Sequence, residues 1–215
     1  MSDDAIQGCV CVVDDDPEVR GSLGSLFRSS GLDVALYEGT DAFLAAGVPP
    51  VASCLVLDVR LRGESGLDFQ ERLAAQGLDI PVILITGHGD IPMTVRGMRA
   101  GAIDFLPKPF SDDQMLAAVA AAIETDRARR AQSAGTAKLH ECYARLTPRE
   151  REVMGLVVTG LMNKQVAGRL DLSEITVKIH RGNMMRKMEA QSLADLVRMA
   201  EQLGVRDESI HRFNI

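Results

Sequence analysis

Five short apolar, β-rich runs, at 8–13, 33–36, 51–57, 81–85 and 102–106, alternate with amphipathic stretches near 17–29, 40–46, 65–76, 92–100 and 111–131. Several of the short runs are continuously apolar, as strands covered on both faces must be. Strict alternation of strand and helix predicts right-handed βαβ units and a doubly wound, five-stranded parallel sheet. Ligands of such sheets bind beyond the carboxyl ends of the strands, which marks the place to look for chemistry. The fifth helix opens at Ser111 with Gln114 in capping-box register and decays into a small, charged stretch that reads as a linker, 126–140, helical as far as Gly135.

From residue 141 the strand pattern disappears. Thr147-Pro148-Arg149-Glu150 combines an N-cap, proline at the first helical position and an acid at the third. The helix it opens carries Val153, Leu156 and Val157 on one face and stops at Gly160. A second helix, 164–170, follows Asn163 as cap; Asp171-Leu172 turns the chain; Ser173 caps a third helix, 174–188, and Ser192 a fourth, 193–203. These four helices predict an all-α module.

Charge divides the chain in the same place. Residues 1–125 hold 8 Lys and Arg against 19 Asp and Glu, whereas residues 126–215 hold 16 against 11. An acidic half joined to a basic half implies two domains with different partners, and only the basic one suits a polyanion. No apolar run approaches the ~20 residues of a membrane span, which excludes an integral membrane protein built on helices. The start, Met1-Ser2-Asp3-Asp4, is acidic where a secretory signal is basic. Four cysteines (Cys9, Cys11, Cys54, Cys142) are too few for a disulfide scaffold, and three of them sit in the apolar runs. They read as small buried hydrophobes of a cytoplasmic protein, and a Cys9/Cys11 metal pair lacks a second ligand pair.

The predicted strand ends carry a consistent set of groups: Asp14, Asp15 and Asp16 after the first strand, Asp58 after the third, Thr86 after the fourth and Lys108 after the fifth. Gathered carboxylates repel one another unless a cation joins them, and a hard divalent ion such as Mg²⁺ suits an all-oxygen set. Thr86 and Lys108 complete a phosphoryl site with a hydroxyl donor and a point charge. A cation beside Asp58 would free its carboxylate to attack an incoming phosphoryl group in line. An acidic strand end is also a common helix cap, and each of these residues taken singly reads that way.

Together the motifs resemble the receiver domain of two-component response regulators. They are Val-Val-Asp14-Asp15-Asp16-Pro, Leu-Asp58-Val-Arg-Leu, Ile-Thr86-Gly-His-Gly-Asp and Phe105-Leu-Pro-Lys108-Pro-Phe, and the resemblance spans 7–125. It implies a flavodoxin-like fold in which Asp58 accepts a phosphoryl group from a phosphohistidine of a sensor kinase. It further implies that Asp15, Asp58 and the backbone carbonyl of Arg60 hold Mg²⁺, with Asp14 contributing through water. Thr86 and Lys108 would bind the phosphoryl oxygens, Phe105 would be the switch aromatic, and the Lys108–Pro109 bond would be cis. Gly87 would leave the donor an open path. In one place the chain departs from the family: receivers commonly carry proline four residues after the phosphoacceptor, and this chain has Arg62-Gly63 before the expected Gly66.

In the basic module, residues 163–181 read as helix, tight turn, helix. A wheel over 174–188 places Val177, Met184 and Met188 on one face and Ile175, Lys178, Ile179, Gly182, Asn183 and Arg186 opposite. Lysines and arginines usually mark a solvated face, but two isoleucines left in water fit that reading poorly. A DNA major groove accepts one such helix, where apolar side chains meet thymine methyls. Lys164, Thr176, His180 and Arg181 would then hold phosphates at the groove's edge. Residues 141–206 resemble the LuxR-type helix-turn-helix domain through Leu146-Thr-Pro-Arg-Glu-Arg-Glu-Val, Gly160-Leu-Met-Asn-Lys and Leu172-Ser-Glu-Ile-Thr-Val-Lys-Ile-His. The order receiver then LuxR is that of the NarL/FixJ family, and the Gly-His-Gly-Asp-Ile-Pro-Met stretch looks closest to its FixJ-like branch. The resemblance implies that Lys178, Ile179 and Gly182 face the groove. It also implies a homodimer formed on phosphorylation, promoter DNA as ligand, RNA polymerase as a further partner, no membrane association and no enzymatic turnover. Two other classes remain beside it. A Mg²⁺-dependent aspartyl phosphatase would want Thr in place of Glu18, and an adaptor would use the helical module to bind protein.

Overall fold

The computed structural model describes residues 8–87 and 91–205. The chain divides between Arg130 and Ala131 into two compact units. The first holds β1 (Cys9–Val13), α1 (Pro17–Ser29), β2 (Asp33–Tyr37), α2 (Thr40–Ala46), β3 (Ser53–Asp58), α3 (Gly66–Ala75), β4 (Val82–Thr86), α4 (Ile91–Arg99), β5 (Asp104–Pro107) and the first part of α5 (Asp112–Ala144). All four strand pairings are parallel, in the order β2-β1-β3-β4-β5. Alternate residues of each central strand feed opposite cores, as the two-residue period of a strand requires. Val10, Val12, Cys54, Val56, Ile83 and Ile85 pack with Phe27 of α1 and with Met115, Val119 and Ile123 of α5. Cys11, Val13, Leu55, Leu57 and Leu84 pack on the other face with Phe43 of α2 and with Leu67, Phe69 and Leu73 of α3.

Cysteines 11, 54 and 142 are buried and Cys9 is half-buried, all with free thiols. Burial pushes the Cys54 thiol up to about 12, so it stays protonated and behaves as an apolar group. Asp16, the third acid of the β1 motif, is the N-cap of α1, accepting from Glu18 N at 2.8 Å. Ser111 and Gln114 close the expected capping box, at 2.9 and 3.2 Å.

α5 continues through Gly135 to Ala144, nine residues beyond the expected helical stretch. A glycine costs a helix only about 1 kcal/mol relative to alanine. Ala131, Ala134 and Ala137 flank it, and the helix end is held by packing: Leu139 and Cys142 lie buried in the core of the second unit. That core also takes residues of α6 (Pro148–Val157), α7 (Asn163–Leu170), α8 (Glu174–Lys187) and α9 (Leu193–Gln202). Thr147, Ser173 and Ser192 cap α6, α8 and α9 as the sequence predicts. Asn163 does not cap α7. Met162 holds that position, Gln165 Oε1 accepts from Met162 N at 2.9 Å, and Asn163 Oδ1 instead accepts from Arg181 Nη1 at 3.1 Å. Asp171 makes the turn into α8 in the left-handed region, φ 52°, which aspartate tolerates better than most residues.

Candidate functional site

The strand order reverses between β1 and β3, and the carboxyl ends of these strands deliver Asp14 and Asp58 to one crevice. Asp14, Asp15 and Asp58 each offer an oxygen there, all within 4.8 Å of one another. Lys108 arrives from the end of β5 through a cis Lys108–Pro109 bond. Its Nζ donates to Asp14 Oδ2 at 2.9 Å and to Asp58 Oδ1 at 3.2 Å. The Lys108 amide donates to Thr86 O at 2.7 Å, which ties the ends of β4 and β5 together. Thr86 is fully buried at the end of β4.

Burial pushes the Asp58 carboxyl above the usual aspartate value; Lys108 opposes that rise and the charge of Asp14 adds to it. Lys108 pays for its own burial, yet hydrogen bonding to Asp14 and the charge of Asp58 hold its ammonium above the ordinary lysine value. The crevice thus carries more negative charge than Lys108 compensates. All its converging donors are hard oxygens, a set that fits a divalent cation of the Mg²⁺ kind. Arg60 stands exposed just beyond Asp58, its amide donating to the Asp58 carboxylate.

Two arginines support the rim. Arg20 of α1 donates from Nη1 to Asp14 O at 2.6 Å, which pins the β1–α1 turn. The sequence reading missed Arg20; its only signal was its place six residues after Asp14 on the following helix. Arg62 Nε lies 2.9 Å from Asp15 Oδ2. Gly66 sits so close to the strand that a Cβ would lie 2.2 Å from Asp58 O, so only glycine fits there. Gly87 is exposed with open space around it. Phe105 is half-buried on β5 and packs with the residues beneath α3 and α4. His88, Gly89 and Asp90 of the Gly-His-Gly-Asp motif lie outside the described residues, as do the acidic residues 1–4.

In the second unit, α8 buries Val177 and Met184, and Met188 at its C-cap is buried with them. Its other side leaves Ile175 and Ile179 73% and 58% exposed, beside exposed Lys178, Gly182 and Arg186. Lys164 is exposed on α7; Thr176, His180, Arg181 and Asn183 are half-buried. Several polar groups of this face are already engaged. Thr176 Oγ1 shares a 2.8 Å hydrogen bond with Ser173 Oγ, Arg186 Nη2 donates to Asn183 Oδ1 at 3.0 Å, and Arg181 is held by Asn163.

Residues 10–120 match the response regulator receiver domain, and residues 144–200 match the luxR family of bacterial regulatory proteins. The chain is a response regulator of the NarL/FixJ family. It is 58% identical to nodulation protein W of Bradyrhizobium diazoefficiens over 91% of this chain and 86% of that one. It is 45% identical to the transcriptional regulatory protein FixJ of Azorhizobium caulinodans, over 91% and 93%. Among solved structures, the response regulator StyR is similar with a TM-score of 0.84 at 46% identity, over 91% of this chain and 98% of StyR. Full-length FixJ from B. japonicum gives 0.56 at 40% identity, over 93% and 98%. This response regulator is a phosphorylation-dependent, DNA-binding regulator of transcription. Its receiver implies a histidine kinase as phosphodonor, and its luxR-type domain implies DNA as ligand. Among the described residues, no helix is long and apolar enough to cross a membrane.

Proposed function

We propose that Asp58 is the phosphoacceptor of this response regulator. Its carboxylate oxygen attacks the phosphorus of a phosphohistidine; the P–O bond forms as the P–N bond breaks, and the imidazole leaves with the electron pair. Asp14, Asp15, Asp58 and the carbonyl of Arg60 would hold Mg²⁺, Asp14 through water. Such a cation would supply positive charge against which phosphoryl oxygens approach a carboxylate. Lys108 bridges Asp14 and Asp58 at rest and takes a phosphoryl oxygen afterwards. Thr86 donates its hydroxyl to another, and Phe105 follows Thr86 inward. The observation that carries this reading is the Lys108 ammonium placed between Asp14 and Asp58 at the strand ends.

The receiver extends over 7–125, the linker over 126–140 and the DNA-binding domain over 141–206. Ile91, Val95 and Met98 form an exposed apolar stripe on α4, which supports phosphorylation-dependent homodimerisation through that face. A dimer places two α8 helices on two half-sites and so raises affinity through effective concentration. Lys178, Ile179, Gly182, Asn183 and Arg186 face the major groove, with Ile175 beside them against thymine methyls. Lys164, Thr176, His180 and Arg181 hold phosphates. Arg181 exchanges Asn163 for phosphate as it docks. The protein works in the cytoplasm, with RNA polymerase as a further partner, and does not turn over substrate as an enzyme.

Intact mass after incubation with Mg²⁺ and a small-molecule phosphodonor tests the assignment. One added phosphoryl group is expected on the wild type, and none on Asp58→Asn or without Mg²⁺. Labelling that survives Asp58→Asn would remove Asp58 from this role.

A further inference from the structure

The three crevice carboxylates are matched by two cations of the chain itself. Lys108 takes Asp14 and Asp58; Asp15, the most exposed of the three, is taken by Arg62. Arg62 stands where receivers commonly carry proline, a residue with no charge to offer.

We infer that Arg62 is a built-in competitor of the divalent cation, occupying Asp15 until the cation displaces it. This rests on the reading that Asp14, Asp15 and Asp58 hold that cation. A guanidinium 2.9 Å from Asp15 Oδ2 already pairs with that carboxylate's charge and repels an approaching dication. Arg62 therefore has to leave Asp15 as the ion arrives. The structure lets it do so at little cost. Its side chain is 87% exposed, so departure requires almost no change in hydration. The loop is tied at its base, where Gly66 N donates to Val59 O at 2.9 Å and Arg60 bridges Ser65, and Arg72 pairs with Glu64 at 2.8 Å. Gly63, in the left-handed region at φ 93°, adjoins Arg62 at the tip. The tip can swing while Asp58, at the base, stays in place. Cation uptake thereby becomes sensitive to ionic strength, because an exposed ion pair weakens as salt rises while the buried carboxylates change less.

Calorimetric titration of the unphosphorylated full chain with MgCl₂ tests this, comparing wild type with Arg62→Gln and Arg62→Lys in low and in high potassium chloride. An exposed ion pair is worth at most about 1 kcal/mol, so Arg62→Gln should bind Mg²⁺ about two- to fivefold more tightly in low salt. The gap should close in high salt, and Arg62→Lys should stay near the wild type. Equal or weaker binding by Arg62→Gln in low salt overturns the competition while leaving the cation site intact. No heat of binding in any of the three proteins overturns the cation reading itself, and the inference with it.

Discussion

Among the described residues of the first unit, Asp126 is the one fully buried acid outside the crevice, and its loss should be felt across that unit. It lies on α5 at the opposite end of the sheet, at the start of β3. Its carboxylate accepts from Ser53 N at 2.9 Å, from Arg129 Nη2 at 2.6 Å and from Arg130 Nε at 2.6 Å. The two arginines reach on to Asp79 O and Pro49 O, at 2.6 and 2.9 Å, so one carboxylate ties α5 to the start of β3 and to the α2–β3 and α3–β4 loops. Asp126→Ala leaves the Ser53 amide buried without its acceptor, at a cost of about 1–2 kcal/mol. The guanidinium groups are 38% and 30% exposed and keep their carbonyl partners, so their contribution is discounted to about 0.5 kcal/mol each. The expected loss is about 2–3 kcal/mol. Hydrogen exchange of the β1 and β3 amides, which open with this unit, reads it without interference from the other unit. Burial raises the Asp126 carboxyl, but the hydrogen bonds from Arg129 and Arg130 outweigh it and hold the group below the usual aspartate value. A depressed folded value means stability that is present above the unfolded pKa of about 3.9 and disappears as pH falls through the folded one. The gap between wild type and variant should thus be constant from neutral pH down to about 5 and narrow below about 4. A gap under about 1 kcal/mol at neutral pH, or one unchanged at the acid end, would refute the reasoning.

Three further predictions concern the DNA face and the crevice. Lys178→Ala should weaken operator binding by about 1–3 kcal/mol in gel-shift titrations. Arg181→Ala should weaken all sequences alike and lower the log–log salt slope by about 1; an operator-specific loss would make Arg181 a base reader. Gly66→Ala forces a Cβ against Asp58 O and should destabilise the receiver by about 1–3 kcal/mol while slowing phosphoryl uptake, measured by thermal melting and by labelling rate. Unchanged labelling would show that the Asp58 backbone yields without consequence.

Much of this was legible along the chain because it depends on local periodicity and on groups attached to strand ends. Asp14, Asp58, Thr86 and Lys108 meet because a parallel sheet gathers the ends of β1, β3, β4 and β5, whatever the side chains between them. The buried stripe Val177, Met184 and Met188 follows from helical spacing alone, and so does the exposure of Ile175 and Ile179 opposite it. The errors fell where a local signal had two outlets. Asn163 has the chemistry of a cap, but Arg181, eighteen residues on, takes its oxygen. Gly135 has the chemistry of a helix stop, but Leu139 and Cys142 find a core beyond it.

Strand and helix order, the caps at Thr147, Ser173 and Ser192, the charge division and the residues at the strand ends belong to the sequence by itself, since each needs only neighbours within a turn or the two-residue alternation of a strand. Tertiary structure alone decided which cation each crevice carboxylate meets: Lys108 for Asp14 and Asp58, and Arg62 for Asp15. Spacing along α5 makes Asp126 look like one more solvated acid beside two arginines. Its burial comes from Ser53, seventy-three residues away, whose amide turns that surface pair into an anchor. Charges choose partners by distance in space, and only the packed sheet sets those distances.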